Sequence, residues 1–245
     1  MIRGFSLLEL LIATAISALV AGAIAAVTPS LQAFFEQAPA AIDLQQRGRT
    51  AVDAIAQAVR SADKLLLLDH DSSRGHFGQL MTIAPKANAA QGLLAADQPG
   101  PGGALWLSVS RCANVPDVCG FARGSVARIA DGGGRFDVFT VGAIDAAART
   151  LSPRRPFDQP YPVNASIVEV DAYTFRLDPQ PDGSSTLVRE TGTGTVQPIV
   201  DRVSELRFEP TVGARGIDVI LTLQPQVTAV GATTRRIEIV ARNVR

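Results

Sequence analysis

From Phe5 to Val27 the chain is apolar except for one charge, the carboxylate of Glu9. As a helix rising 1.5 Å per residue, that run reaches about 35 Å, enough to cross a hydrocarbon core about 30 Å thick. It is too long for the apolar core of a secretory signal, and no small-residue cleavage site of the ordinary signal-peptidase kind follows it. Whatever the remainder becomes, it must fold around a membrane-length helix. Arg3 fits a cytoplasmic N-terminus, with the rest of the chain outside. Glu9 adds a second constraint. A carboxylate near a bilayer centre costs roughly 2.5–3.5 kcal/mol on insertion scales, so a chain that keeps one needs a partner for it.

The residues around that carboxylate are Gly4-Phe5-Ser6-Leu7-Leu8-Glu9-Leu10-Leu11-Ile12-Ala13. They closely resemble the class III signal of type IV prepilins and type II secretion pseudopilins. The resemblance implies that a prepilin peptidase cuts between Gly4 and Phe5 and N-methylates Phe5. Met1-Ile2-Arg3-Gly4 would be a short leader (residues 1–4). Glu9 would be the glutamate at the fifth mature position, neutralising the Phe5 amino group of an adjacent subunit during assembly. The plain alternative is an ordinary signal anchor that happens to hold a glutamate.

Beyond residues 5–27, the pattern predicts that the helix continues over 28–64 as an amphipathic segment. Val52, Ile55, Val59 and Ala62 recur at three- and four-residue steps, while Arg49, Asp53, Gln57 and Arg60 fall on the other side. Pro29 and Pro39 each remove an amide donor, so a kink is expected at either and a break and restart at Pro39. The helix should end near Lys64, where Leu65–Leu68 begins a strand or a buried turn.

From about residue 69 the composition turns to Gly, Pro, Asp, Ser and Thr, with short apolar runs between turn signals. Residues 104–109, 136–141, 167–170, 173–177, 186–189, 217–223 and 236–240 read as strands. Pro181-Asp182-Gly183 marks a hairpin. Ala84 to Gly103 is the best candidate for a mobile loop. The expected fold is therefore α+β: a long N-terminal helix packed on a mostly antiparallel β head spanning 65–245, pilin-like in outline.

The helix sequence from Asp43 to Ile55, with Val59-Arg60-Ser61-Ala62 after it, resembles the post-membrane helix of PilW-like minor pilins and of J-type pseudopilins. The segment from Gln197 to Phe208 and the ending Thr234-Arg235-Arg236-Ile237-Glu238-Ile239-Val240-Ala241-Arg242-Asn243-Val244-Arg245, with its Arg-Asn pair, are similar to both groups. The resemblance implies a structural subunit, not an enzyme, that helps initiate or cap a type IV pilus. A J-type pseudopilin of a type II secretion system is the alternative. A membrane-anchored periplasmic enzyme or binding module is a third reading, and no recognisable catalytic constellation supports it. The implied partners are prepilin peptidase, other minor pilins or pseudopilins, a major pilin and the inner membrane. The implied location is the inner membrane with a periplasmic head, then a pilus or a periplasmic pseudopilus.

Cys112 and Cys119 bracket a six-residue loop. In an oxidising compartment they read as a disulfide contributing on the order of 2–3 kcal/mol. A redox or metal pair is the alternative, although the spacing is not CxxC and no further cysteine completes a zinc site. His70 and His76, with Asp69 and Asp71, could hold a metal but read better as a solvated loop. Asp131-Gly132-Gly133-Gly134-Arg135 lacks the Lys-Ser/Thr of a phosphate loop and reads as a turn. No cofactor is implied. Arg123, Arg128, Arg135, Arg149, Arg154 and Arg155 are interspersed with acids, and the formal net charge is zero. Nucleic-acid binding, which favours a basic stripe with stacking aromatics, is therefore not expected.

Overall fold

The computed structural model describes residues 7–72, 75–100, 103–108, 118–157, 159–211, 216–225 and 231–240, and within the helix leaves aside the side chains of 29–34, 36 and 37. One helix, α1 (Leu7–Ser61), leads into an antiparallel β head. It runs through both prolines, so the expected break at Pro39 does not occur. A proline in a helix interior costs about 3 kcal/mol but removes only one backbone bond. Strong helix formers, Ala38, Ala40 and Ala41, flank Pro39, and its ring faces solvent. The helix stops at Ser61 rather than Lys64. Ala62 N–H still bonds back to Ala58, whereas Asp63 N–H bonds to the Ile83 carbonyl at 2.9 Å. At that point the chain passes from helix to sheet.

The strands are β1 (Lys64–Asp71), β2 (His76–Pro85), β3 (Gln91–Leu93), β4 (Leu105–Trp106), β5 (Val126–Ala130), β6 (Phe136–Asp145), β7 (Thr150–Pro153), β8 (Ser166–Pro179), β9 (Ser185–Thr191), β10 (Val196–Val200), β11 (Val203–Pro210), β12 (Gly216–Leu223) and β13 (Thr233–Val240). The order across the sheet is β13-β12-β11-β2-β8-β5-β6-β7-β4, with β1 on β2, β3 and β9 on β8, and β10 on β9. The two runs expected at 167–170 and 173–177 are one strand, β8. Its first half pairs with β3 and β5, and its second half with β2 and β9. The Pro181-Asp182-Gly183 hairpin joins β8 to β9. There Gly183 takes a φ of 80°, and the Asp182 carboxylate accepts from the Ser184 N–H and hydroxyl.

Two lobes share β8, each with its own core. In the first, α1 packs Leu44, Ala51, Ile55 and Val59 against Phe175, Phe208, Leu221 and Leu223. Each such side chain contributes about 1.5–3 kcal/mol by leaving water. The buried stripe centres on Leu44, Gly48, Ala51, Ile55 and Val59, so Val52, expected on the core face, lies at its margin. Gly48 marks the closest approach of helix to sheet. A Cβ there would stand 2.7 Å from Arg235 Nε and 3.4 Å from a Leu223 methyl.

In the second lobe Leu94, Leu105, Phe121, Ile129, Phe139, Leu151, Phe157, Tyr161 and Ile167 form the core. Phe157 meets Phe139 and Tyr161 edge-on, with ring centroids 5.3 and 5.9 Å apart. This packing also overturns the mobile-loop expectation for 84–103 over its described residues, Pro101 and Gly102 lying outside them. Ala90 and Leu94 are buried, Leu94 bridges Leu107, Gln98 bridges Tyr161, and Asp97 accepts from Val163 N–H at 2.7 Å. The strand expected at 104–109 shrinks to Leu105–Trp106 plus the Leu107 bridge, and Val109 lies outside the described residues.

Tyr161 is 1% exposed, and its hydroxyl donates to Asp137 Oδ2 at 2.8 Å. Burial first, and then the Asp137 carboxylate, push its pKa above the usual 10.0. The folded state thus favours the neutral phenol. Its contribution is complete below the unfolded pKa and is lost as pH rises through the folded one. Urea unfolding of the full chain in detergent at about pH 9 and about pH 11 should show a smaller stability loss for Tyr161→Phe than for wild type.

Candidate assembly site

Of the residues singled out in the sequence, Gly4 and Phe5 lie outside the described residues. Glu9 stands in the first turn of α1, exposed among the exposed side chains of Leu7, Leu8, Leu10 and Leu11. From Leu7 to Thr28 the helix is long and apolar enough to cross a membrane, with mean hydropathy 2.4 and no buried residue. Ile12, Ile16, Leu19, Val20 and Ile24 all face outward. The hydroxyls of Thr14 and Thr28 turn back onto the carbonyls of Leu11 and Ile24, at 3.0 and 2.7 Å. Those polar groups are satisfied within the stem, as an apolar surrounding requires. Glu9 is the one charge in the run, and a bare apolar rod with one carboxylate near its start can be buried only by a bilayer or by other chains.

Where the helix reaches the head, Arg47 fixes it. Its side chain is 11% exposed and pairs with Asp43 one turn earlier at 3.3 Å and with Asp201 at 3.2 Å. It also donates to the backbone carbonyls of Asp201 and Gln224. One guanidinium thus ties α1 to the turn between β10 and β11 and to the end of β12. Sequence reading did not single out Arg47, because these partners lie 154 and 177 residues away and leave no local signal. Charge-assisted bonds contribute about 1.5–3 kcal/mol each when shielded, and the exposure of Asp43, Asp201 and Gln224 reduces that here. Arg47→Ala is expected to lower the full chain's unfolding free energy in detergent by about 1 kcal/mol. It should also raise proteolysis around residue 47, whereas Arg49→Ala, on the exposed face, should do neither.

The remaining sequence candidates do not converge. Cys119 is 3% exposed and is not a free thiol, while Cys112 lies outside the described residues. His70 is exposed on β1 and stacks at 4.8 Å on Phe77, whereas His76 is buried on β2. Among the described residues no three His, Cys, Asp or Glu side chains come together as a metal site. Asp131 folds its own turn, accepting from Gly133 N–H and Arg135 N–H at 2.9 Å each and pairing with Arg135 Nε at 2.7 Å. That pairing with Arg135 holds the carboxyl below its usual range. Of the six arginines singled out in the sequence, Arg135 is thereby engaged and Arg128 is bound to Asp63 at 2.6 Å. Arg123, Arg149, Arg154 and Arg155 are exposed.

Residues 1–25 match the family model described as the prokaryotic N-terminal methylation motif. The N-terminus is of prepilin type. That supports a place among type IV pilins and pseudopilins, and it implies processing by a prepilin peptidase and assembly with other pilins. The apolar first half of α1 fits the inner-membrane anchor of a prepilin-type protein. No curated protein and no solved structure matches the chain.

Proposed function

We propose that this chain is a minor pilin, a structural subunit that helps initiate or cap type IV pilus assembly after cleavage at Gly4–Phe5 and N-methylation of Phe5. The observation that supports this most is the methylation motif over residues 1–25 leading directly into a wholly exposed apolar helix. Two further features are consistent with it. The head has two lobes and is large for a repeating subunit, and Arg47 fixes the stem to the first lobe. In this reading Glu9 meets the Phe5 amino group of a neighbouring subunit, and weak screening in the apolar core strengthens the pair. The role is structural rather than catalytic. A Cys112–Cys119 disulfide, closing a short loop, belongs to the same reading.

The test is quantitative mass spectrometry of sheared surface filaments, following the peptide that begins at Phe5. N-methylated Phe5 at low stoichiometry beside a major pilin is the expected result. The processed chain confined to membrane and periplasmic fractions would instead favour a J-type pseudopilin. A chain still carrying Met1–Gly4 would overturn both.

A further inference from the structure

Among the described residues five strands pair with the sheet on one side only: β1, β3, β4, β10 and β13. A free strand edge is a row of unpaired N–H and C=O groups that invites another chain, and folded proteins blunt it. Four of the five are blunted here. β3 and β4 are short, and their surroundings bond to one another, Ser108 N–H to the Leu93 carbonyl and Ala95 N–H to that of Trp106. β10 is interrupted by Pro198. β13 carries Arg235, Arg236 and Glu238, and α1 packs on it.

Over Leu65–Leu68, β1 has none of these devices. It is eight residues long, it pairs only with β2, and its four leucines are half-buried. Leu65 and Leu67 lean on the first core, whereas Leu66 leans on a small cluster that includes Ile83 and Val126. Apolar surface therefore flanks the open edge on both faces of the sheet. The ends of this window are marked by charge. Lys64 precedes the leucines, and Asp69, at a φ of 58°, kinks the strand after them and begins an acidic end with Asp71.

A second copy of this chain does not fit the edge. Two identical antiparallel edges are related by a two-fold axis perpendicular to the sheet. Because α1 lies on the face of that sheet, the axis would turn the second stem the opposite way, and two stems anchored in one bilayer cannot point apart. We infer instead that β1 takes up an extended apolar segment of a different polypeptide as an added antiparallel strand, a recognised mode of peptide binding. Antiparallel pairing suits a head whose other ladders are all antiparallel. It sets the amino end of the incoming segment beside Asp69 and Asp71 and its carboxy end beside Lys64. The segment is therefore basic at its amino end, apolar in the middle and acidic at its carboxy end. The inference leans on the assembly reading only in taking the stem as an anchor. Filament mass spectrometry tests that reading, and the binding experiment below does not depend on it.

The probes are two short labelled peptides of alternating valine and threonine. One has lysine at its amino end and glutamate at its carboxy end, and the other has the two exchanged. Each is titrated into the full chain in detergent micelles, followed by fluorescence anisotropy and by hydrogen exchange of the chain. The first should bind about tenfold tighter, because exchanging the ends turns two opposite-charge cross-strand pairs into like-charge ones. It should also slow exchange within residues 64–68 and leave β13 unchanged. Leu68 packs against none of the three apolar clusters, so Leu68→Lys places a charge on the edge with no change in the thermal midpoint. That variant should weaken binding about tenfold or more, whereas Val240→Lys, on β13, should not. Equal affinity for the two peptides, protection at β13 instead of β1, or unchanged binding by Leu68→Lys would each overturn the inference. A two-chain mass in detergent that Leu68→Lys reduces to one would overturn it in favour of a second copy.

Discussion

Glu9→Leu is expected to leave membrane insertion intact and to remove the chain from filaments. The substitution makes the span more apolar, so insertion has no reason to suffer. In the assembled state, however, the Phe5 ammonium of a neighbouring subunit would then lie in an apolar interior with no counter-charge. Removing one member of a buried ion pair costs about 3–5 kcal/mol, because the surviving charge is left uncompensated. That corresponds to roughly a hundredfold or more in the equilibrium for subunit addition. The readout is the ratio of filament to membrane signal in sheared cells. Normal incorporation of Glu9→Leu would sink the assigned role of this carboxylate. In the proposed assembly the pair would fix axial register more than add net stability, because desolvation offsets most of the attraction.

A bulky residue at position 4 is expected to have an effect at least as large by a different route. Gly4→Leu places a side chain where the peptidase must accept the residue before the scissile bond. The chain should accumulate uncut, heavier than the processed form by its first four residues, with Phe5 unmethylated. Its Phe5 nitrogen then stays in a peptide bond, carries no charge and cannot pair with a neighbouring Glu9. Within one chain the two substitutions thus remove different pairs, the one made by its own Glu9 and the one made by its own Phe5 amino group. A mature-length Gly4→Leu product bearing N-methylated Phe5 would contradict the assigned cleavage site.

Much of this architecture is legible in the chain because its signals are local. The apolar run with one carboxylate, the apolar stripe of the later helix and the clean alternation of β12 (Ile217, Val219, Leu221 and Leu223 inward) each declare themselves within a dozen residues. The failures share a physical cause. In β8 the buried residues fall at Ile167 in the second core, Val170 and Ala172 in a smaller cluster with Ile83 and Val126, and Phe175 in the first core. The alternation therefore breaks in the middle, and one strand reads as two. In β11 a register shift between Val203 and Glu205 changes the parity, so Val203 is followed inward by Leu206 and Phe208. The strand β10, which the sequence reading did not list, contains Pro198; it pairs only with β9, and a proline is tolerated on such an edge. Of the candidate sites, only the N-terminal one was visible. The Arg47 clamp is assembled from residues more than a hundred positions apart, and no spacing rule reports that.

The sharing of β8 between two cores also has a mechanical meaning. Tension applied along the stem enters the head where α1 meets β10, β12, β13 and β2, all in the first lobe, and Arg47 grips that same lobe. The second lobe hangs from β8 and from the Asp63–Arg128 bridge just past the end of the helix. It therefore lies beside the line of force rather than on it. A load on the stem is resisted by the helix–sheet interface of one lobe, while the other keeps its shape.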